Sequence, residues 1–544
     1  MVSKIEALTM RLENSPILSS VSRTILGLGL SAFFLVPASA QEFPSMESVA
    51  VQGAAGVYSR PASLSDDVAF QRLHQAVLKA RAASNPAAVA EVERAVESVT
   101  GNLGQYPQLS RVHGHEEPLW LTDRGDLTAQ AVLALAALER KSSHPNRRET
   151  LEQLAMGLTY LQRKDRKEYP FGAHISWKDT TPMARLGDGS QVPAALFRTD
   201  RAYAVQALAE AGKLLDNKTM LESAQREALG MASHLVVHGR LIRSFSPQPE
   251  MSYDANDALP LIGGFVALYE ATGNRIYADL GALATHWTGT SDTLRGPEWM
   301  ALKTKLEASP AAPLLKAKPE GKPVTFQYIQ AEDGKVVNKA IDTLDFQSSS
   351  DQEGTLAVMG RENTFWMRFD VPTEDDYLFD LAYLQSDVGG GLVSVMMRID
   401  GDKIFQVPLG DVDGKPILRR KYVDGPRPLR SGPHSFGIRF SGLLMTKPAL
   451  LDSVVVQPAL ERRAFKLPDG NFLHLIRNTT DAVARTDREH FGSWPPIEQT
   501  VVDGEGQPSK LGSAEDRRRR KTYVTVPPYG VALVKVAPGK TDRE

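Results

Sequence analysis

The hydrophobic pattern of this chain changes period once, near Ala308, and that change restricts the fold more than any other feature. Before it, apolar residues recur every three or four positions; beyond it, they alternate. A period of 3.6 suits helices that bury one stripe, and a period of 2 suits strands that bury one face. Two architectures are therefore joined in one chain. With 544 residues there is too much sequence for a single compact core, so several domains are expected.

The helical half reads as hairpins. Phe70, Leu73, Ala76, Val77 and Ala80 share one face of a helix started near Ser65, and a partner follows Asn85-Pro86. A second pair is expected from Asp126 to about Lys141 and from Arg148 to Gln162, and a third from Asp200 to Leu215 and from Met220 to Val237. The fourth runs from Asn256 to Thr272 and from Ile276 to Trp287, with Gly273-Asn274 as its tight turn. Connections inside each hairpin are short, whereas those between hairpins are long and dense in Asp, Arg, Trp and Tyr. That alternation fits an (α/α) toroid over residues 63–308, in which the long loops meet at one rim.

Residues 309–323 are rich in Pro, Lys and Gly and read as a linker. Beyond them, Phe365 to Val371, Val393 to Ile399 and Ser435 to Phe440 alternate as strands, and Asp400-Gly401 signals a hairpin. Residues 324–460 are thus expected as an antiparallel β-sandwich. Residues 461–538 form a small C-terminal β module on the strength of Phe472 to Asn478 and Tyr523 to Val536. The expected fold class is multidomain α plus β.

The N-terminus carries an address. Arg23 precedes an apolar run from Ile25 to Val36, and Ala38-Ser39-Ala40 has the small-residue pattern of a cleavage site. Residues 1–40 read as a signal peptide, with Met10 as an alternative start, and 41–62 as an extended mature N-terminus. The run is too short to remain as a bilayer anchor, and no other stretch is long and apolar enough to be one. The expected location is periplasmic or extracellular. The chain has no cysteine, which excludes thiolate catalysis and Cys-ligated zinc. A formal net charge of −2 gives no general attraction to nucleic acid. The basic block Arg517 to Lys521 reads as a solvated loop between strands.

Gln330-Ala331-Glu332-Asp333, the Phe369-Asp370-Val371-Pro372 and Tyr377-Leu378-Phe379 segments, and Leu451-Asp452-Ser453-Val454 together resemble carbohydrate-binding modules of the jelly-roll type. The resemblance implies a structural Ca²⁺ held by Glu332, Asp333 and Asp452, hard oxygens of the kind calcium takes. Tyr253 to Trp287, with Leu268-Tyr269-Glu270-Ala271-Thr272-Gly273, is similar to the repeat of the six-hairpin and related α/α-toroid enzymes acting on sugars. Val526-Pro527-Pro528-Tyr529-Gly530 is similar to the small β domains that end many glycosidases. The Gly-Gly-Trp-Pro signature of α/α-toroid pectate lyases is absent after Leu158-Thr159-Tyr160-Leu161, so no catalytic assignment carries over from them.

The loop residues supply candidates for two chemistries. Hydrolysis of a glycosidic bond takes two carboxylates, and Asp123, Asp126, Asp200, Asp254 and Asp257 are available. Asp126, Asp200 and Asn256 are also well placed as helix N-caps. Eliminative cleavage of a uronate takes a base and a cation that neutralises the substrate carboxylate. Arg198 and Arg201 could clamp such a carboxylate in bidentate fashion, with Tyr253, His174 and Lys178 nearby in the same kind of loop. Trp120, Trp177 and Trp287 could stack on sugar rings. His113-Gly114-His115 has ligand types, but no third ligand at fixed spacing. No P-loop, dinucleotide turn or nucleophile elbow is present. The expectation is an exported carbohydrate-active enzyme that cleaves a polysaccharide, with elimination of a uronate polymer slightly favoured. The alternatives are a glycoside hydrolase and a non-catalytic glycan-binding envelope protein.

Overall fold

The fold is that of a computed structural model. It describes residues 68–83, 85–100, 104–106, 119–121, 125–162, 183–186, 191–193, 201–232, 237, 239, 242–244, 250–251, 258–286, 294–331, 335–336, 343–348, 353–359, 364–384, 394–401, 403–408, 418–441, 449–486, 496–511, 513–516 and 521–538. The expected signal peptide and extended N-terminus lie outside these residues. Among the described residues no helix is long and apolar enough to cross a membrane.

The helices are α1 (Val68–Ala82), α2 (Pro86–Thr100), α3 (Gly125–Glu139), α4 (Pro145–Leu161), α5 (Arg201–Leu215), α6 (Lys218–Ala232), α7 (Leu259–Thr272), α8 (Arg275–Leu283) and α9 (Gly296–Glu307). All four expected hairpins form. The odd-numbered helices from α1 to α7 make an inner row, each packed on the next, and the even-numbered ones lie outside their partners. Inner α3 is buried over almost its whole length, with Ala129, Ala131, Ala134, Ala136 and Ala137 letting neighbours come close. Between α5 and α7 the close approach depends on Gly263 and Gly264. A Cβ on Gly264 would stand 2.7 Å from Val205 Cγ1.

Two caps differ from expectation. Helix α7 begins at Leu259 with Ala258 as its N-cap and no side-chain cap, so Asn256 does not cap it. Pro260 in the first turn, whose missing N–H leaves one donor fewer to satisfy, reduces what a cap would contribute there. Asp126 lies inside the first turn of α3 rather than before it, where its charge favours the helix dipole. The turn at Gly273 is as expected: its φ of 70° is left-handed, its N–H donates to Tyr269 O, and Asn274 then caps α8 by accepting from Ile276 N.

The inner helices run parallel. Arg81 of α1 and Arg140, just past the end of α3, both donate to Glu210 near the end of α5, at 3.1 and 2.9 Å. Lys213 of α5 donates to Glu270 O near the end of α7 at 2.7 Å. Four C-termini therefore meet at one end. At the other, Phe70 in the first turn of α1 packs edge-on to Tyr203 in the first turn of α5, with ring centroids 5.2 Å apart. Helix α9, which the sequence reading did not single out, packs on α7 and brings Glu298 to 3.9 Å from His74 of α1. It thereby links the last inner helix to the first.

The strands in the inter-hairpin connections are β1 (Gly104–Tyr106), β2 (Leu119–Leu121), β3 (Met183–Leu186), β4 (Gln191–Pro193), β5 (Ile242–Ser244) and β6 (Glu250–Met251). They form three antiparallel pairs, one in each long connection. The segment expected as a linker is ordered instead. It holds a 3-10 helix (Ala312–Lys316) and β7 (Lys318–Val324), the edge strand of a C-terminal sheet.

The sandwich strands are β8 (Gln327–Gln330), β9 (Lys335–Val336), β10 (Thr343–Ser348), β11 (Glu353–Met359), β12 (Phe365–Val371), β13 (Asp375–Leu384), β14 (Ser394–Ile399), β15 (Lys403–Pro408), β16 (Leu418–Leu429), β17 (Gly432–Ser441) and β18 (Ala449–Pro458). One sheet has the order β15-β14-β17-β12-β9 and the other β16-β13-β18-β11-β10-β3-β4, with β8 on β18. The alternation expected of β12 is present: Phe365, Met367, Phe369 and Val371 are buried among Phe379, Phe436 and Val454, while the residues between them are not. The chain is thus α+β, with antiparallel sheets. The 348-to-184 pairing of β10 with β3 ties the helical half into the sandwich: Phe346 is opposite Leu186 and Ser348 opposite Ala184.

The C-terminal module comprises β19 (Leu460–Lys466), β20 (Phe472–Asn478), β21 (Ala484–Arg485), β22 (Glu498–Val502), β23 (Ser513–Asp516), β24 (Lys521–Val526) and β25 (Val531–Val536). Asp516 opposite Lys521 puts the basic block between two paired strands; Arg517 to Arg520 are outside the described residues. The module is not separate. Phe465, Leu473, Leu475, Val502 and Leu533 are buried in the same core as the helices. Arg226 of α6 pairs with Glu505 at 2.6 Å, and Arg463 donates to Val237 O at 2.8 Å. Gly506, at φ 79°, is where this contact demands glycine: a Cβ there would fall on Tyr277 Oη and within 2.7 Å of Gln225 Oε1.

Candidate functional site

Because α1, α3, α5 and α7 are parallel, the three long connections that feed α3, α5 and α7 arrive at the same end of the array. Each follows one plan: a β pair, a few residues, then an inner helix. Asp123 stands between β2 and α3, Arg198 and Asp200 between β4 and α5, and Tyr253, Asp254 and Asp257 between β6 and α7. Neighbouring packed helices lie about 8–10 Å apart. The topology thus brings the starts of α3, α5 and α7, which these segments precede in the chain, to one end of the array, where amide dipoles favour negative charge.

The structure places two of the expected residues by backbone. Trp120 is the middle residue of β2, opposite Gln105, and Arg201 opens α5. Asp123, His174, Trp177, Lys178, Arg198, Asp200, Tyr253, Asp254, Asp257 and Trp287 lie outside the described residues, as does the His113–His115 pair.

Below this end the described side chains include polar groups that the sequence reading did not single out. Gln130, one turn below Asp126, is fully buried with neither amide atom hydrogen-bonded, and Asp126 itself is 1% exposed. In the second turn of α1, His74 stacks on Phe70 and has a buried, unpartnered Nδ1. A buried polar group with no partner costs roughly 1–3 kcal/mol, so such groups call for a reason. Gln130 does interrupt the otherwise apolar Ala129 to Leu138 stretch, which is the one sequence signal that could have marked it.

For the expected calcium site, the strand register places only the backbone of Asp452. Ser453 of β18 pairs with Gln330 of β8, so the preceding Asp452 is level with Ala331, and Glu332 and Asp333 come next in the chain. Asp452 is also the extra residue where β18 shifts register against β13. Glu332 and Asp333 lie outside the described residues. Among the described residues no group of three or more His, Asp or Glu is placed to hold a metal ion.

No family model matches the chain, and no curated protein matches it. Solved structures that resemble parts of it include carbohydrate-binding modules and glycoside hydrolases. The family 35 carbohydrate-binding module from Clostridium thermocellum aligns with 24% of this chain and 98% of its own, at 12% identity and a TM-score of 0.20. An exo-β-1,3-galactanase from Phanerochaete chrysosporium, solved with galactose, aligns with 24% of this chain at 17% identity and a TM-score of 0.18. This chain spans only 29% of that enzyme's length. The Lin0763 protein from Listeria innocua aligns with 44% of this chain and 68% of its own, at 14% identity and a TM-score of 0.31. At such TM-scores the likenesses carry no functional inference.

Proposed function

We propose that the chain is an exported carbohydrate-active enzyme that cleaves a polysaccharide at the loop end of the helical array. In this reading the array is a small α/α toroid, with α9 bridging its last and first inner helices. One observation carries the proposal: three connections rich in Asp, Arg, Trp and Tyr end at the N-termini of three adjacent parallel helices. Helices need caps there, but a cap does not require an Arg pair or an aromatic beside it. The β3–β4 hairpin adds a second support. It makes the sandwich sheet continuous with the connection that carries His174, Trp177, Lys178, Arg198 and Asp200, so a long polymer could lie against both.

The favoured chemistry is elimination on a uronate polymer. Arg198 and Arg201 would neutralise the substrate carboxylate, which acidifies the adjacent C–H; Tyr253 or His174 would take that proton, the glycosidic C4–O bond would break as the C4=C5 double bond forms, and the leaving oxygen would take a proton from water. Hydrolysis is the second reading, favoured by the equivalent positions of Asp123, Asp200 and Asp257 before successive inner helices. The sandwich would hold Ca²⁺ through Glu332, Asp333 and Asp452 as a structural ion.

The test is incubation of the protein with neutral and uronate polysaccharides, read by reducing ends and by absorbance of unsaturated uronides. Elimination predicts both signals on a uronate polymer, and their loss by about 100-fold or more in Arg198→Ala. Reducing ends without the absorbance would transfer the reading to hydrolysis. Binding without either signal on any polymer would leave a non-catalytic glycan-binding protein.

A further inference from the structure

At one end of the sandwich the chain crosses twice between its two sheets, from β12 to β13 and from β16 to β17. The second crossing is tight, with only Arg430 and Ser431 between Leu429 and Gly432. Ser431 Oγ donates to Pro372 O at 3.3 Å, which ties the two crossings together. Beside them is the tip of the β14–β15 hairpin, where Asp400 and Gly401 are both left-handed, at φ of 50° and 80°. An aspartate in that conformation is strained unless its surroundings hold it. Two bonds to β17 do so: Asp400 N donates to Ser435 O at 2.8 Å, and Ser435 N donates to Asp400 Oδ1 at 2.9 Å.

His434, near the start of β17, lies between this tip and the second crossing. Its ring stacks on Phe369 of β12, with centroids 5.6 Å apart, and its side chain is 11% exposed. Nδ1 is 2.6 Å from Asp400 Oδ2, and Nε2 is 2.6 Å from Arg430 O. A carbonyl oxygen can only accept. Asp400 is also an acceptor, because hydrogen bonds from Ser435 and His434 outweigh burial and hold its carboxyl below the usual carboxylate range. A neutral imidazole carries one N–H and one lone pair, so it would make one bond and turn a lone pair toward an oxygen at the other. Only the imidazolium, with two N–H groups, makes both.

We propose that His434 is a pH-dependent latch, which as the imidazolium joins the β14–β15 tip to the β16–β17 crossing and on deprotonation lets the crossing go. The proton that leaves is the one on Nε2, since the bond from Nδ1 to a carboxylate is the stronger of the two. The freed Arg430 carbonyl is on an exposed turn and passes to water. Every element packed on the ring favours the closed form: the tip presents Asp400, β12 adds the carboxylate of Asp370, and the crossing presents the Arg430 carbonyl. Burial opposes the charge, but these groups outweigh it and raise the pKa above the 6.5 usual for histidine. A raised pKa gives a definite sign: the latch is closed below about pH 6.5 and opens as pH rises through the higher value. It is independent of the proposed cleavage reaction.

The test is a titration of the full chain from about pH 5 to about pH 9, read by resonance of ¹⁵N-labelled histidine rings and by hydrogen exchange. The expected result is one histidine, missing from His434→Phe, that titrates above 6.5. Protection of Leu429–Gly432, corrected for the intrinsic pH dependence of exchange, should fall about tenfold through that titration, as on losing one hydrogen bond from a charged group. The amides of Asp400 and Ser435, which the backbone and the carboxylate hold, should change little. His434→Phe keeps a ring on Phe369 but makes neither bond, so its protection at Leu429–Gly432 should be low at every pH. Asp400→Asn removes the facing charge and should move both the titration and the loss of protection to lower pH. A His434 that titrates at or below 6.5 would overturn the proposal. So would protection that does not follow the titration, or that follows pH equally in His434→Phe.

Discussion

Single residues in this fold report whether buried charge is compensated. Asp279 makes the sharpest case, because its carboxyl is held at about 6, well above the 3.8 usual for aspartate. Below about pH 4 the group is protonated both folded and unfolded and contributes nothing to pH dependence. Between about pH 4 and pH 6 the unfolded chain releases the proton while the folded chain keeps it, so stability falls as pH rises. The loss is on the order of 3 kcal/mol and is complete above about pH 6. The melting temperature of the protein should therefore drop relative to Asp279→Asn across that window. A difference between the two that stays flat, or that grows in favour of the native residue, would contradict the burial of this carboxyl. Nothing in the sequence marks it. Asp at 279 lies four positions after Arg275, the spacing of an exposed helix pair, and only the packing of the C-terminal sheet buries it. The misread caps have the same character: whether Asn256 caps α7 depends on where that helix starts, and an Ala N-cap has no signature.

At the scale of elements, the long periodic helices were legible and the short strands were not. Apolar stripes of 14 to 17 residues located α1 to α7 to within a few positions. Strands of two to four residues, such as β3 and β6, are too short to establish a period, and α9 has only Leu302 and Leu306 buried. The consequence of β3 is larger than its length, since it joins the site-bearing connection to the sandwich. Both neighbours of β3 are paired strands, so Ala184→Pro removes a ladder N–H whichever way it points. Hydrogen exchange in Thr343–Ser348 should accelerate in this variant, with little change in the distant β12 and β17. Unchanged exchange in Thr343–Ser348 would mean that the hairpin does not anchor the sheet.

At the scale of the whole molecule, the three regions are less separable than their sequence textures suggest. The switch from period 3.6 to period 2 correctly divides helices from strands, yet the core does not divide there. Leu473 and Leu533 look like ordinary strand interior in the sequence and are buried against helices in the structure. The expected linker reads as flexible because Pro and Gly are frequent in it, but an edge strand tolerates both. Topology, in turn, supports the proposed site more than local pattern does: the parallel inner helices put the starts of α3, α5 and α7 at one end, and the proposal has their three loops converge there. That convergence is the central claim, and the absence of cysteine allows it to be measured directly. Pairs of cysteines at Asp123, Asp200 and Asp257, spin-labelled and read by pulsed electron resonance, should give three distances of about 10–20 Å, the span of adjacent helices. A distance above about 30 Å for any pair would place that loop elsewhere, since a 15-residue helix alone spans roughly 22 Å, and would contradict a shared site.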